Sequence, residues 1–358
     1  MSEMREIIKA EAENAGAISF ARFMELALYC PNFGYYEQTG VSPGQSGDFY
    51  TSVSVGELFG ELLAMQFAEW LEMLPAPRQI VEAGAHDGRL ALDILQWLKK
   101  EKPELAETVE YWILEPSKRR QETQIKMLAE FEKKVRWFDA WEELPPSGVT
   151  GIIFANELLD AMPVHRLGWD ATKKKWFEWG VRWEGQDFSW TRMELRPELA
   201  PKNLPPELLE VLPDEFTTEI CPAAKSWWQQ AAGALKTGKL LTFDYGLSAE
   251  QFFTPERKDG TLRAYHQHRQ NNDLLARPGE QDLTAQVNFS EICAAGKAEG
   301  LKTEAWTSQG RFLTALVQRL IAEKRTSEEW ITTRARQFQT LTHPQHLGRS
   351  FQILVQGR

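Results

Sequence analysis

Cysteine is scarce in this sequence: Cys30, Cys221 and Cys293 are the only three in 358 residues, and no two form a CxxC pair. That spacing supplies neither a disulfide framework nor the paired thiolates of a zinc site, so no metal is expected and a reducing, cytoplasmic setting is. Long apolar runs are missing too. No stretch approaches the roughly 18 consecutive apolar residues of a membrane span, and residues 1–20 scatter acidic side chains where a secretory signal or transit peptide would have none. Positive charge is outweighed, with 41 Lys and Arg against 51 Asp and Glu. No general field exists to collect phosphate backbones, so nucleic acid is not an expected partner. Two basic runs, 118–120 and 173–175, read either as solvated faces or as contacts for an acidic partner.

What is present is an alternation of strands and helices. Residues 5–30 carry apolar positions at helical spacing, with Ser19 placed to cap the run Phe23, Leu26, Ala27. Residues 56–71 read as a helix buried on more than one stripe. After Pro75 and Pro77 the chain reads as strand 78–84, a helix whose inner stripe is Leu90, Ile94 and Leu98, strand 109–114, helix 118–131, strand 135–138, strand 151–155 and strand 239–243. Residues 310–340 look helical, and 350–356 form a last strand. This order predicts an α/β fold, a Rossmann-like parallel sheet wound on both faces. Residues 168–220 interrupt it with the period-2 pattern of an antiparallel insertion. Its aromatic side, Phe177, Trp179 and Trp183, has two readings: the edge of a core, or a peptide-binding surface. The expected division is an N-terminal extension 1–75, a core of 76–167 and 221–358, and the insertion 168–220.

The chemistry starts where the first strand ends, at Glu82-Ala83-Gly84-Ala85-His86-Asp87-Gly88. A glycine leaving a parallel strand lets the backbone turn sharply, and a second opens the next helix with its free N–H groups outward. Glu115 ends the second strand, one βα unit later, where a carboxylate can accept both hydroxyls of a ribose. Asp139 follows the third strand; it is placed either to meet an adenine amino group or simply to sit in a surface loop. Together these favour an adenosine-containing cofactor. A dinucleotide dehydrogenase needs three glycines in GxGxxG to cradle a pyrophosphate, and here His86 stands at the middle glycine with no third to follow. A sulfonium nucleoside has no diphosphate, so methyl transfer is preferred over hydride transfer. The fourth strand runs into Asn156, Glu157 and Asp160, which either face the cofactor's reactive group and hold a nucleophile or cap a helix.

Ordered matches elsewhere resemble a known family. They comprise Gly34-Tyr35-Tyr36, Gly47-Asp48-Phe49-Tyr50-Thr51-Ser52, Asn156-Glu157 with Asp160-Ala161, Asp244-Tyr245-Gly246, Gly260-Thr261 through His268, and Arg277 through Thr284. Nearly the whole chain is similar to the MidA-like methyltransferases. The resemblance implies a class I methyltransferase sheet of parallel strands with a terminal antiparallel pair, an added α+β region, S-adenosylmethionine as cofactor and S-adenosylhomocysteine as product. It also implies methylation of an arginine in a protein partner, a respiratory-complex subunit by analogy with mitochondrial members. Asp48, Thr51 and Ser52 would then join the strand-end residues around the cofactor, while His268 and Asp282 would line the cleft with Glu157 and Asp160, the pair expected to orient a guanidinium. Asp244 has the alternative of pinning a turn, and His268 that of hydrogen-bonded loop structure. Two departures stand out: His86 replaces the family's usual glycine, and Val53-Ser54 replaces its Pro-Glu. A chain that lost cofactor binding through His86 would instead be an assembly or scaffolding protein on a methyltransferase fold.

Overall fold

The computed structural model describes residues 3–38, 51–202, 204–267 and 269–358. In chain order the strands are β1 (Ile18–Ser19), β2 (Arg78–Ala83), β3 (Val109–Leu114), β4 (Val135–Phe138), β5 (Val149–Asn156), β6 (His165–Asp170), β7 (Lys175–Glu184) and β8 (Asp187–Met193). They continue with β9 (Thr217–Ile220), β10 (Leu235–Leu247), β11 (Arg263–His266), β12 (Arg269–Asn271), β13 (Asp282–Thr284), β14 (Val287–Asn288), β15 (Lys302–Ser308) and β16 (Phe351–Gly357).

The main sheet has the order β15-β16-β10-β5-β2-β3-β4. Strands β4, β3, β2, β5 and β10 are parallel, and β16 runs antiparallel to both β10 and β15. Its central strands are nearly continuous apolar runs because both faces are covered. Ile80, Ile152 and Phe154 face one layer with Leu62, Phe67, Ile94 and Leu316, from the helices Leu58–Glu72, Arg89–Glu101 and Gln309–Ala322. Val81 and Ile153, one residue out of phase, face the other layer with Trp228 and Ile292 from the helices Pro222–Ala234 and Phe289–Ala298. The helix Lys118–Met127 differs: Gln124 is its one buried residue.

A second, antiparallel sheet has the order β1-β7-β6-β9, with β8 on β7. Its pairing begins at His165, slightly before the alternation in the sequence suggests, because Arg166 and Leu167 already pair with β7. The helices Glu3–Ala15 and Phe20–Tyr29 pack on it through Ile8, Phe20, Phe23 and Val181. Ser19 caps the second of these, its Oγ accepting from Arg22 N at 3.2 Å. Phe177 is buried and its ring meets Trp179 at 4.8 Å, while Trp183 lies under Arg5 and Lys9. These aromatics cover the edge of a core. A three-stranded sheet, β12-β11-β13, packs Ala264 and Leu283 into the same core as Phe20 and Phe23. Among the described residues no helix is long and apolar enough to cross a membrane.

Candidate active site

From β2 the chain adds strands in one direction through β3 to β4, and from β5 in the other through β10 to β16. Where an open α/β sheet reverses in this way, the loops leaving the carboxyl ends of the two strands part and open a crevice. Here the register aligns Ala83 with Leu114 and Ala155, Leu114 with Phe138, and Asn156 with Phe243. Gly84, Glu115, Asp139 and Asn156 therefore stand along one rim, and all four line a cleft of about 1480 Å³.

The turn after β2 uses left-handed backbone at Gly84 (φ 70°), His86 (φ 50°) and Gly88 (φ 88°). A Cβ on Gly84 would meet Leu158 Cδ1 at 2.8 Å, so only glycine fits there. His86 keeps the left-handed conformation a glycine would take at its position, and its side chain lines the cleft. Asp87 Oδ1 accepts from Arg89 N at 3.0 Å and secures the start of the next helix. Ala85 and Glu82 also line the cleft. Glu82 is buried, accepts from Tyr111 Oη at 2.6 Å, and is pushed up to about 8 by burial, against the opposing hydrogen bond from Tyr111.

Glu115 is buried at the end of β3, and burial raises its pKa. Its Oε1 accepts from Ser117 N at 3.1 Å and its Oε2 from Gln124 Nε2 at 3.1 Å. Each carboxylate oxygen has two acceptor positions, so one on each remains for a vicinal diol. Asp139 lies at the rim with Lys118 Nζ at 2.5 Å and Gln121 Nε2 at 2.7 Å, and the Lys118 contact holds its pKa low.

The turn after β5 concentrates acid. No helix starts here, so Asn156 and Asp160 do not serve as helix caps. Glu157 has φ 51°, and its Oε1 accepts from Ser52 N at 3.0 Å and Asn156 Nδ2 at 3.1 Å. Burial pushes Glu157 up to about 8. Asp244, in β10, accepts from Leu159 N at 2.8 Å and Asp160 N at 3.3 Å through Oδ2, and from Tyr245 N at 2.8 Å through Oδ1. It pins the turn, and burial pushes it up to about 7. Asp160 rises well above the usual carboxylate range, through burial first and then the charges of Asp244 and Asp282. Asn156 Oδ1 is buried with no hydrogen-bond partner among the described residues, and an orphaned acceptor of this kind suits an incoming N–H donor.

Ser52 Oγ donates to Gln309 Oε1 at 3.1 Å, which fixes the backbone that meets Glu157, and Thr51 lines the cleft. Asp48 and His268 lie outside the described residues. The sequence reading missed Gln124, Tyr36 and Glu37 as site residues. Tyr36 Oη donates to Asp282 Oδ1 at 2.8 Å, its carbonyl accepts from Arg119 and Arg120, and Glu37 accepts from Ser117 Oγ at 3.0 Å. These contacts join residues 80 or more positions apart, for which no local pattern gives a signal.

A parallel sheet with one reversed strand near its edge, a glycine turn after its first strand and an acidic residue ending its second define a class I S-adenosylmethionine-dependent methyltransferase. Residues 62–307 match the family model described as "Putative S-adenosyl-L-methionine-dependent methyltransferase", and the chain belongs to this family, the MidA-like methyltransferases. The chain is 31% identical over 317 residues to the mitochondrial protein arginine methyltransferase NDUFAF7 of Mus musculus, covering 81% of this chain and 69% of that one. It is 28% identical to the Drosophila melanogaster homolog over 97% of this chain and 83% of the relative. A superfamily member from Burkholderia thailandensis, crystallised with S-adenosyl-homocysteine bound, superposes with a TM-score of 0.84 at 30% identity, covering 99% of this chain and 92% of that one. The protein is an S-adenosylmethionine-dependent enzyme, which removes the dehydrogenase reading.

Proposed function

We propose that this enzyme methylates an arginine side chain of a protein, with Glu157 and Asp160 holding the guanidinium. One observation carries the reading: Glu157, Asp160 and Asp244 are gathered at the end of β5, and none forms an ion pair with a basic side chain among the described residues. The charges that perturb them most are one another's, and all three are raised. Buried acids without a cation are costly to ionise, and a planar guanidinium with five donors is the group that satisfies two carboxylates at once. The relatives named protein arginine methyltransferases support the same substrate class.

In this scheme Glu115 would accept the ribose hydroxyls, the turn from Gly84 to Gly88 would carry the amino-acid tail, and Asn156 Oδ1 would take a donor from it. Asp139, at the rim, would meet the adenine, and Thr51 lines the cleft while the buried Ser52 acts through its backbone N–H to Glu157. The bound cofactor supplies a methyl group already activated by its sulfonium. The protein's task is then alignment and charge. A guanidinium keeps its protons to beyond about pH 12, so Glu157 and Asp160 must draw its positive charge onto the nitrogens they bond and leave the third nitrogen's lone pair free to attack. A carboxylate near neutrality is also matched to receive the proton released on methylation.

The test is to incubate the enzyme with methyl-labelled S-adenosylmethionine and proteins from a strain lacking it, then hydrolyse the labelled product. Label recovered as methylarginine supports the reading. Label confined to another residue, or to small molecules, overturns it.

A further inference from the structure

The helix Lys118–Met127 is mainly polar, and its one fully buried residue is a glutamine. Burying an amide costs free energy unless its donors and acceptor are all used. Gln124 uses them on two strand-end turns and one strand. Its Nε2 donates to the carbonyl of His86 at 3.0 Å, in the turn after β2, and to Glu115 Oε2 at 3.1 Å, after β3. Its Oε1 accepts from Trp137 Nε1 at 3.0 Å, in β4. A Cβ on Gly88 would lie at ordinary contact distance, 3.5 Å, from Gln124 Cα, so the turn packs beside this residue.

We infer that Gln124 is a positioning residue for the cofactor: it locks the glycine turn to the Glu115 carboxylate so that amino-acid tail and ribose are received in a fixed relation. The inference rests on Glu115 being the ribose carboxylate. Gln124 makes no contact with the acceptor corner around Glu157. Its effect therefore falls on cofactor affinity and not on turnover once the cofactor is bound. A carboxylate held by an amide donor presents its remaining acceptor positions in one orientation; without the donor it rotates and the turn loses its brace.

Three variants test this, with S-adenosylhomocysteine as the probe in calorimetry. Glu115→Gln checks the underlying reading. Gln124→Met keeps the volume but loses all three bonds, and should raise the Kd about tenfold and the KM for S-adenosylmethionine in parallel, leaving kcat at saturation within about twofold. Gln124→Glu is isosteric and still accepts from Trp137, but opposes a second carboxylate to Glu115. Its affinity should fall at pH 8 and recover toward pH 6 as the pair takes up a proton, a profile that a purely structural role does not produce. Wild-type affinity in a folded Gln124→Met, or no pH dependence in Gln124→Glu, overturns the inference while Glu115→Gln still binds weakly. Wild-type affinity in Glu115→Gln removes the ribose reading instead. Failure of both Gln124 variants to fold assigns the residue to folding and also overturns the inference.

Discussion

Asp244 makes the acidic corner measurable without any substrate. It is fully buried, accepts three backbone N–H groups, and is still pushed up to about 7, because burial outweighs the hydrogen bonds. An acid whose folded pKa lies above its unfolded one keeps its proton longer in the folded state. Its contribution is thus complete below the unfolded value near 4 and is lost as pH rises to about 7. The decline is at most about 1.4 kcal/mol per pH unit for each proton lost. Glu157, pushed up to about 8, extends the decline further. Urea unfolding of the wild type between pH 6 and pH 8.5 should therefore show stability falling with pH. Asp244→Asn has no proton to lose, but its amide cannot accept from Tyr245 N as well as from Leu159 N, which costs about 1–3 kcal/mol. The variant should be less stable at pH 6, and the two curves should converge toward pH 8. Parallel curves, or a wild type whose stability is flat or rises across this range, would refute the reasoning that these acids lack a cation.

A guanidinium peptide titrated into the enzyme at pH 7 should release protons as Glu157, pushed up to about 8, ionises against it, read as a dependence of the heat on the buffer's ionisation enthalpy; no such dependence would count against the site. Glu157→Gln and Asp160→Asn should each lower kcat on the order of a hundredfold while S-adenosylhomocysteine binds within about twofold of wild type, so loss of cofactor binding would move these residues to another role. Gly84→Ala forces a side chain into left-handed backbone and against Leu158, and should cost about 1–2 kcal/mol in thermal unfolding together with cofactor affinity.

The parallel core was legible because its strands are buried on both faces and read as apolar runs such as Ile152, Ile153 and Phe154 between turn residues. The edge strand β15 was not, since its residues alternate between half-buried and exposed and offer no such run. The small sheet of β11, β12 and β13 is built from strands of three or four residues, and its β11–β13 pairing spans a long connection, which period-based reading cannot join. In the site, Gly84, Glu115 and Asn156 could be found because topology alone places strand ends together. Asp244 could be noticed as an acid ending a strand, but only its bonds to Leu159 and Asp160 show that it pins the turn. Gln124 carries no local signal: a single glutamine in a polar helix looks like any solvated residue until the two turns and the strand it braces are seen in space.

The most direct measurement is a crystal structure with S-adenosylhomocysteine and an arginine peptide bound together. The ribose hydroxyls should lie on Glu115, the tail along the turn from Gly84 to Gly88, and the guanidinium between Glu157 and Asp160 with one nitrogen turned to the sulfur. An acceptor bound elsewhere, with those two carboxylates covered by the protein's own side chains, would contradict this arrangement.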